Sequence, residues 1–190
     1  RDFQLEGKRV LLRCDLNVPF DEGLIQDDFR IEQSVPTIRY ISEHGGRCIV
    51  LAHFGRPTQS EIQSFSLRPI AARLQELVGK EVKFIADPIG EKVQNQIGEM
   101  KPGEIALLEN IRFYKEEEEN DLAFAKKLAE LGDLYVNDAF GACHRAHASI
   151  VGITKFLPSA AGLLLEKETT VLERIRENPE RPMVVVVGGA

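Results

Sequence analysis

The chain has 190 residues, 43% apolar and 28% charged, and a domain of this length buries roughly 70% of its unfolded surface around one core. A net charge of −6 argues against a nucleic-acid partner, whose phosphates would repel the chain as a whole. No apolar run approaches the roughly 18–20 residues that cross a bilayer, and the first ten residues hold no apolar signal-peptide core.

The first predicted element is a strand in "KRVLLRC" (8–14). A helix from about Ser34 to His44 follows, with Pro36 in its first turn and Gly45-Gly46 as its stop. "RCIVLAH" (47–53) reads as a second strand. The next helix starts near Ser66, carries Ile70, Leu74, Leu77 and Val78 on one stripe and ends at Gly79. "EVKFIAD" (81–87) is a third strand, about 89–97 a short helix, and "EIALLE" (104–109) a fourth strand. The acidic run Glu116 to Glu119 reads as a solvated turn. It leads to a helix capped by Asp121, with Leu122, Ala125, Leu128 and Leu131 at helical spacing and Gly132 as its stop. "DLYVND" (133–138) is a fifth strand, and a last helix covers about 163–177 before Asn178-Pro179. After Pro182, Met183 to Val187 read as a buried strand, and Gly188-Gly189 begin the kind of turn that opens a ligand loop. The strands are continuous apolar blocks rather than alternating ones, as expected when both faces are covered. Strand and helix alternate, which predicts an α/β fold with a mostly parallel sheet flanked by helices.

Ligands of such sheets bind beyond the carboxyl ends of the strands. Those ends collect Asp15 and Asn17 after the first strand, His53 and Arg56 after the second, and Arg112 after the fourth. Asn137 and Asp138 follow the fifth, then His144, Arg145 and His147 in "GACHRAH"; Arg30 precedes the first helix. Four arginines and three histidines at one rim of an acidic chain point to a small, highly charged anion bearing phosphate, carboxylate or both. Asp15 and Asn17 can hold hydroxyl groups and orient neighbouring arginines, and Gly55 lets the backbone approach a ligand closely. Taken singly, the pieces have plainer readings: "HFGRP" is a turn with an exposed arginine, and Arg112 is a partner for the acidic run. Cys143, His144 and His147, with Asp138, could be a metal cluster, but the spacing is not that of a zinc site. Cys143 beside His144 could be a nucleophile, but no glycine-framed elbow surrounds it.

The succession "LLRCDLNVP", "RIEQSVPTIRY", "LAHFGRP", "LLENIRF" and "YVNDAFGACHRAHAS" resembles the N-terminal domain of the phosphoglycerate kinase family, and "AGLLLEKE" (161–168) extends the likeness. The resemblance implies a three-layer, Rossmann-like domain over 1–162, a connector helix over 163–178, and over 179–190 a stub of the first strand of a nucleotide-binding domain. It implies reversible phosphoryl transfer between 1,3-bisphosphoglycerate and ADP, giving 3-phosphoglycerate and ATP in glycolysis. The substrate would rest on Asp15, Asn17, Arg30, His53, Arg56, Arg112 and Arg145. Arg30 would stabilise the transferring phosphoryl group, and His144 and His147 would flank the patch as accessory charge.

Magnesium–ATP or magnesium–ADP would bind mainly the other domain, of which Gly188 and Gly189 would be an incomplete nucleotide loop lacking its lysine. Ala52 stands where many members carry Ser. The expectation is a chain that binds 3-phosphoglycerate without turnover, holds no metal or cofactor of its own, and self-associates through 183–187; the full-length enzyme is expected to be monomeric. The alternative is a stand-alone sensor or carrier of phosphorylated three-carbon acids. Three cysteines without a CxxC pair fit a reducing cytoplasm.

Overall fold

The computed structural model describes residues 3–21, 23–58, 62–186 and 188. Six strands form one parallel sheet: β1 (Arg9–Arg13), β4 (Arg47–Leu51), β5 (Val82–Ile85), β6 (Ile105–Leu108), β7 (Leu134–Asn137) and β8 (Ser159–Ala161). Their order across the sheet is β5-β6-β4-β1-β7-β8. A separate two-stranded hairpin joins β2 (Phe20–Asp21) to β3 (Leu24–Ile25).

Side chains of a strand alternate between its faces, so a strand covered on both sides must be apolar throughout. Val10 and Leu12 of β1, with Cys48 and Val50 of β4, pack into one core with α1 (Phe29–Glu43) and α2 (Arg68–Val78). Leu11, Ile49 and Leu51 point the other way, into a second core with α3 (Glu91–Gly98) and α5 (Leu122–Ala129). The three-layer α/β arrangement follows from these two faces. Between β6 and α5 lies the single turn α4 (Lys115–Glu118), and after β7 a π-helical turn spans Ala148–Gly152.

Four expectations are corrected. Helix α1 begins at Phe29, because the Asp27 carboxylate accepts a hydrogen bond from the Phe29 amide (2.8 Å) and starts the helix over a turn early. Pro36 therefore lies in the helix interior. The sixth strand is β8, three small residues that pair with β7. Met183 to Val186 form no strand: no strand of the described residues pairs with them, and Val184 and Val186 are 86% and 91% exposed. Val187 and Gly189 lie outside the described residues.

Helix α6 (Leu163–Glu177) follows β8 and packs along α1, with no buried side chain and with Val171, Leu172 and Ile175 exposed. Its start is fixed from the sheet. The carboxylate of Asp138, just past β7, accepts from the amides of Leu164 (2.9 Å) and Leu165 (3.0 Å), donors that have no partner within the helix. Gly162 precedes the helix because there is no room for more: a Cβ there would lie 2.2 Å from Asp138 Oδ1.

Candidate anion-binding site

All six strands of the sheet run the same way, so their carboxyl ends share one edge. Asp15 receives Arg30 from the first turn of α1, Nη1 to Oδ2 at 2.7 Å, so the carboxylate does orient that arginine. Asn17 donates its backbone amide to Asp15 Oδ1 (3.3 Å), and its side-chain oxygen accepts the Gly55 amide (2.8 Å). The Gly55 carbonyl in turn accepts from Arg112 Nη1 (3.1 Å). Gly55 holds φ +61°, and a Cβ would run into the Phe65 ring at 2.2 Å, so only glycine fits this bend. A chain of contacts thus joins Arg30, Asp15, Asn17, Gly55 and Arg112.

Arg112 is buried and also faces Glu118 (Nε to Oε1, 3.4 Å), so the pairing with the acidic run and a place in the rim hold together. Arg145 is half-buried, and its Nε donates to His144 Nε2 (3.3 Å). Arg56 is exposed, with no hydrogen bond or ion pair among the described residues. Gly188 is exposed, with open space where a side chain would stand.

His53 is buried and accepts a hydrogen bond at Nδ1 from Arg13 Nη2 (3.0 Å). A guanidinium can only donate, so this contact leaves the ring proton on Nε2. Burial first, then the charges of Arg13, Arg112 and Arg145, push the His53 pKa down to about 2. His147 is also lowered, chiefly by burial, although Glu117 opposes the shift. Neither ring carries charge at neutral pH. The expectation of histidine charge at the rim is corrected for both: the positive potential comes from arginines, and His53 offers a neutral N–H.

Several supporting residues escaped the sequence reading. Arg13 is fully buried; its Nε donates to Ser149 Oγ (3.0 Å) and its Nη1 to the Cys14 carbonyl. Ser149 Oγ donates to Glu117 Oε1 (2.6 Å), and the Ser149 amide donates to Glu117 Oε2 (2.9 Å). Glu117 is fully buried, which corrects the solvated reading of the acidic run at this position. Asn110 holds the loop after β4: its side-chain oxygen accepts the Phe54 amide (3.2 Å), and its nitrogen donates to the Phe54 (2.8 Å) and Phe65 (3.0 Å) carbonyls. Glu109 accepts from the Leu67 amide (2.8 Å) and Ser66 Oγ (2.7 Å), fixing the start of α2. A charge inside an apolar strand was the available signal for Arg13. The partners of Glu117, Asn110 and Glu109 are distant in sequence and left none.

The metal and nucleophile alternatives gain no support. Among the described residues no group of three or more His, Cys, Asp or Glu side chains could hold a metal ion. Cys143 Sγ donates to the Ala139 carbonyl, while His147 faces Glu117 at 3.8 Å. A cavity of about 550 Å³ borders Arg112, lined also by Pro57, Lys115, Glu116, Glu118 and Glu119. Its three exposed carboxylates outnumber Arg112 and Lys115, which disfavours an anion there.

The family profile described as "Phosphoglycerate kinase" matches residues 1–190. Curated relatives named phosphoglycerate kinase include that of Borrelia garinii subsp. bavariensis, 52% identical over 100% of this chain and 49% of its own length. That of Dictyoglomus turgidum is 53% identical over 100% of this chain and 48% of its own length. The chain therefore spans about half the length of the curated relatives it matches. Among solved structures, the phosphoglycerate kinase of Pyrococcus horikoshii OT3 superposes with a TM-score of 0.91 at 37% identity, over 100% of this chain and 48% of that one. The enzyme of Coxiella burnetii superposes with a TM-score of 0.84 at 40% identity, over 99% of this chain and 47% of that one.

Proposed function

The chain belongs to the phosphoglycerate kinase family, and from that premise we propose that its strand-end rim binds 3-phosphoglycerate or 1,3-bisphosphoglycerate. The observation that carries this reading is the linked set Arg30–Asp15–Asn17–Gly55–Arg112 at one sheet edge, with His53 and Arg145 beside it. Asp15 and Asn17 contact the glycerate part of the substrate and hold its hydroxyl group. Arg56, Arg112 and Arg145 take the phosphate, and Arg30, oriented by Asp15, stabilises the phosphoryl group in transit. Such transfer needs positioning and charge stabilisation and no protein nucleophile, which suits a rim of arginines. The domain reading goes with it: 1–162 bind substrate, 163–178 connect, and 179–190 begin a nucleotide-binding part.

The whole reaction also needs a magnesium nucleotide. Of the expected nucleotide loop only Gly188 lies among the described residues, and one glycine supplies no more than a backbone N–H to such a group. The chain alone is expected to bind without turnover; ATP formation by the purified chain would refute this.

Calorimetric titration with 3-phosphoglycerate, beside Arg56→Ala, tests the assignment. Saturable binding that weakens at least tenfold in the variant is expected, about the worth of one charge-assisted contact. Absence of binding by either protein would overturn it.

A further inference from the structure

We propose that Glu117 and Ser149 are positioning residues for the anion site, acting through Arg13 to fix His53 as a neutral donor. Three buried side chains form an unbroken line from the acidic run to the rim. Glu117 accepts from both the amide and the hydroxyl of Ser149, Ser149 Oγ accepts from Arg13 Nε at 3.0 Å, and Arg13 Nη2 donates to His53 Nδ1 at 3.0 Å. Glu117, Ser149 and Arg13 are all 0% exposed.

A buried guanidinium without a counter-charge is costly, and here the counter-charge is the one carboxylate of the run that turns inward. Ser149 is itself held: Tyr135 donates its hydroxyl to the Ser149 carbonyl at 2.6 Å. The π-helical turn at 148–152 presents the serine between the two charges. With three of its bonds fixed, Arg13 has one orientation, and His53 has one tautomer.

For the rim this matters in two ways. An imidazole that already receives a donor at Nδ1 keeps its proton on Nε2, and a phosphate or carboxylate oxygen that reaches this N–H can accept it. The arrangement also keeps the ring from charging, so His53 contributes direction and the arginines contribute charge. A line of hydrogen bonds to a buried carboxylate is a costly way to hold one imidazole unless its orientation is used. The inference rests on the binding reading above only for its ligand; the state of His53 can be read without any ligand.

The test compares the native chain with Ser149→Ala, which removes the bridge and alters no charge, and with Glu117→Gln, which removes the charge and keeps the shape. Nitrogen-15 spectra of the histidine rings report the His53 tautomer and its titration. The native protein is expected to show a single Nε2–H tautomer that does not protonate between pH 5 and 8. Folded variants, verified by their circular dichroism, should show a tautomer mixture, with affinity for 3-phosphoglycerate lowered about three- to tenfold. A folded Ser149→Ala protein with the native His53 spectrum and native affinity would overturn the proposal. So would an Nδ1–H or charged His53 in the native protein, a result that needs no variant to fold. If the variants change the His53 spectrum while the native chain binds no 3-phosphoglycerate, the positioning line stands and the ligand assignment falls.

Discussion

His53 ties the site to the pH dependence of folding. Its ordinary pKa is 6.5, which the unfolded chain keeps, while the native ring stays neutral down to about 2. Between those values the unfolded state binds more protons, so stability must fall as pH drops through 6.5. The loss from His53 alone is about 1.4 kcal/mol between pH 7.5 and 5.5. His147, lowered in the same direction, adds to it. Urea unfolding across that range should show this decline, and His53→Gln should reduce the slope. An unchanged slope in the variant would mean that His53 is not the group being charged. The same ring illustrates what a residue type conceals: histidine at a strand end suggested charge, but burial beside three arginines makes it a neutral donor.

At the scale of elements, strength lies where distant parts of the chain meet. Asp138 joins the end of β7 to the start of α6, and Gly162 leaves the space for that contact. Gly162→Ala should cost about 1–3 kcal/mol by forcing the carboxylate and the helix start apart. Chemical unfolding gives the loss, and hydrogen exchange at Leu164 and Leu165 should speed up; unchanged protection there would rule out the clash. What the sequence disclosed follows the same division. Strands β1, β4 and β6 were legible because both faces are buried, and the start of α5 because Asp121 accepts the Phe124 amide within one turn (2.7 Å). Strand β8 was not, since Ser159–Ala161 has no apolar signature and exists by pairing with β7. The rim residues could be named from strand ends, but Arg13, Ser149 and Glu117 depend on contacts more than thirty or a hundred residues apart.

At the scale of the molecule, two closely packed cores sit beside a lightly attached end. Val184 and Val186 stand open to solvent, and an exposed apolar run favours association. Sedimentation should show more self-association for the whole chain than for one ending at Arg181; equal behaviour at both lengths would remove the idea. Beyond its anchored start, helix α6 is the other loosely held part, with Val171, Leu172 and Ile175 exposed and no side chain in either core. A helix so placed can open locally at small cost while the sheet remains folded. Trypsin should therefore cut first after Arg174 or Arg176, both exposed, and leave a resistant body. That body would keep Asp15, Arg30, His53, Arg56, Arg112 and Arg145, so the clipped protein should retain the anion affinity of the uncut one, and digestion would separate recognition from attachment without a single mutation.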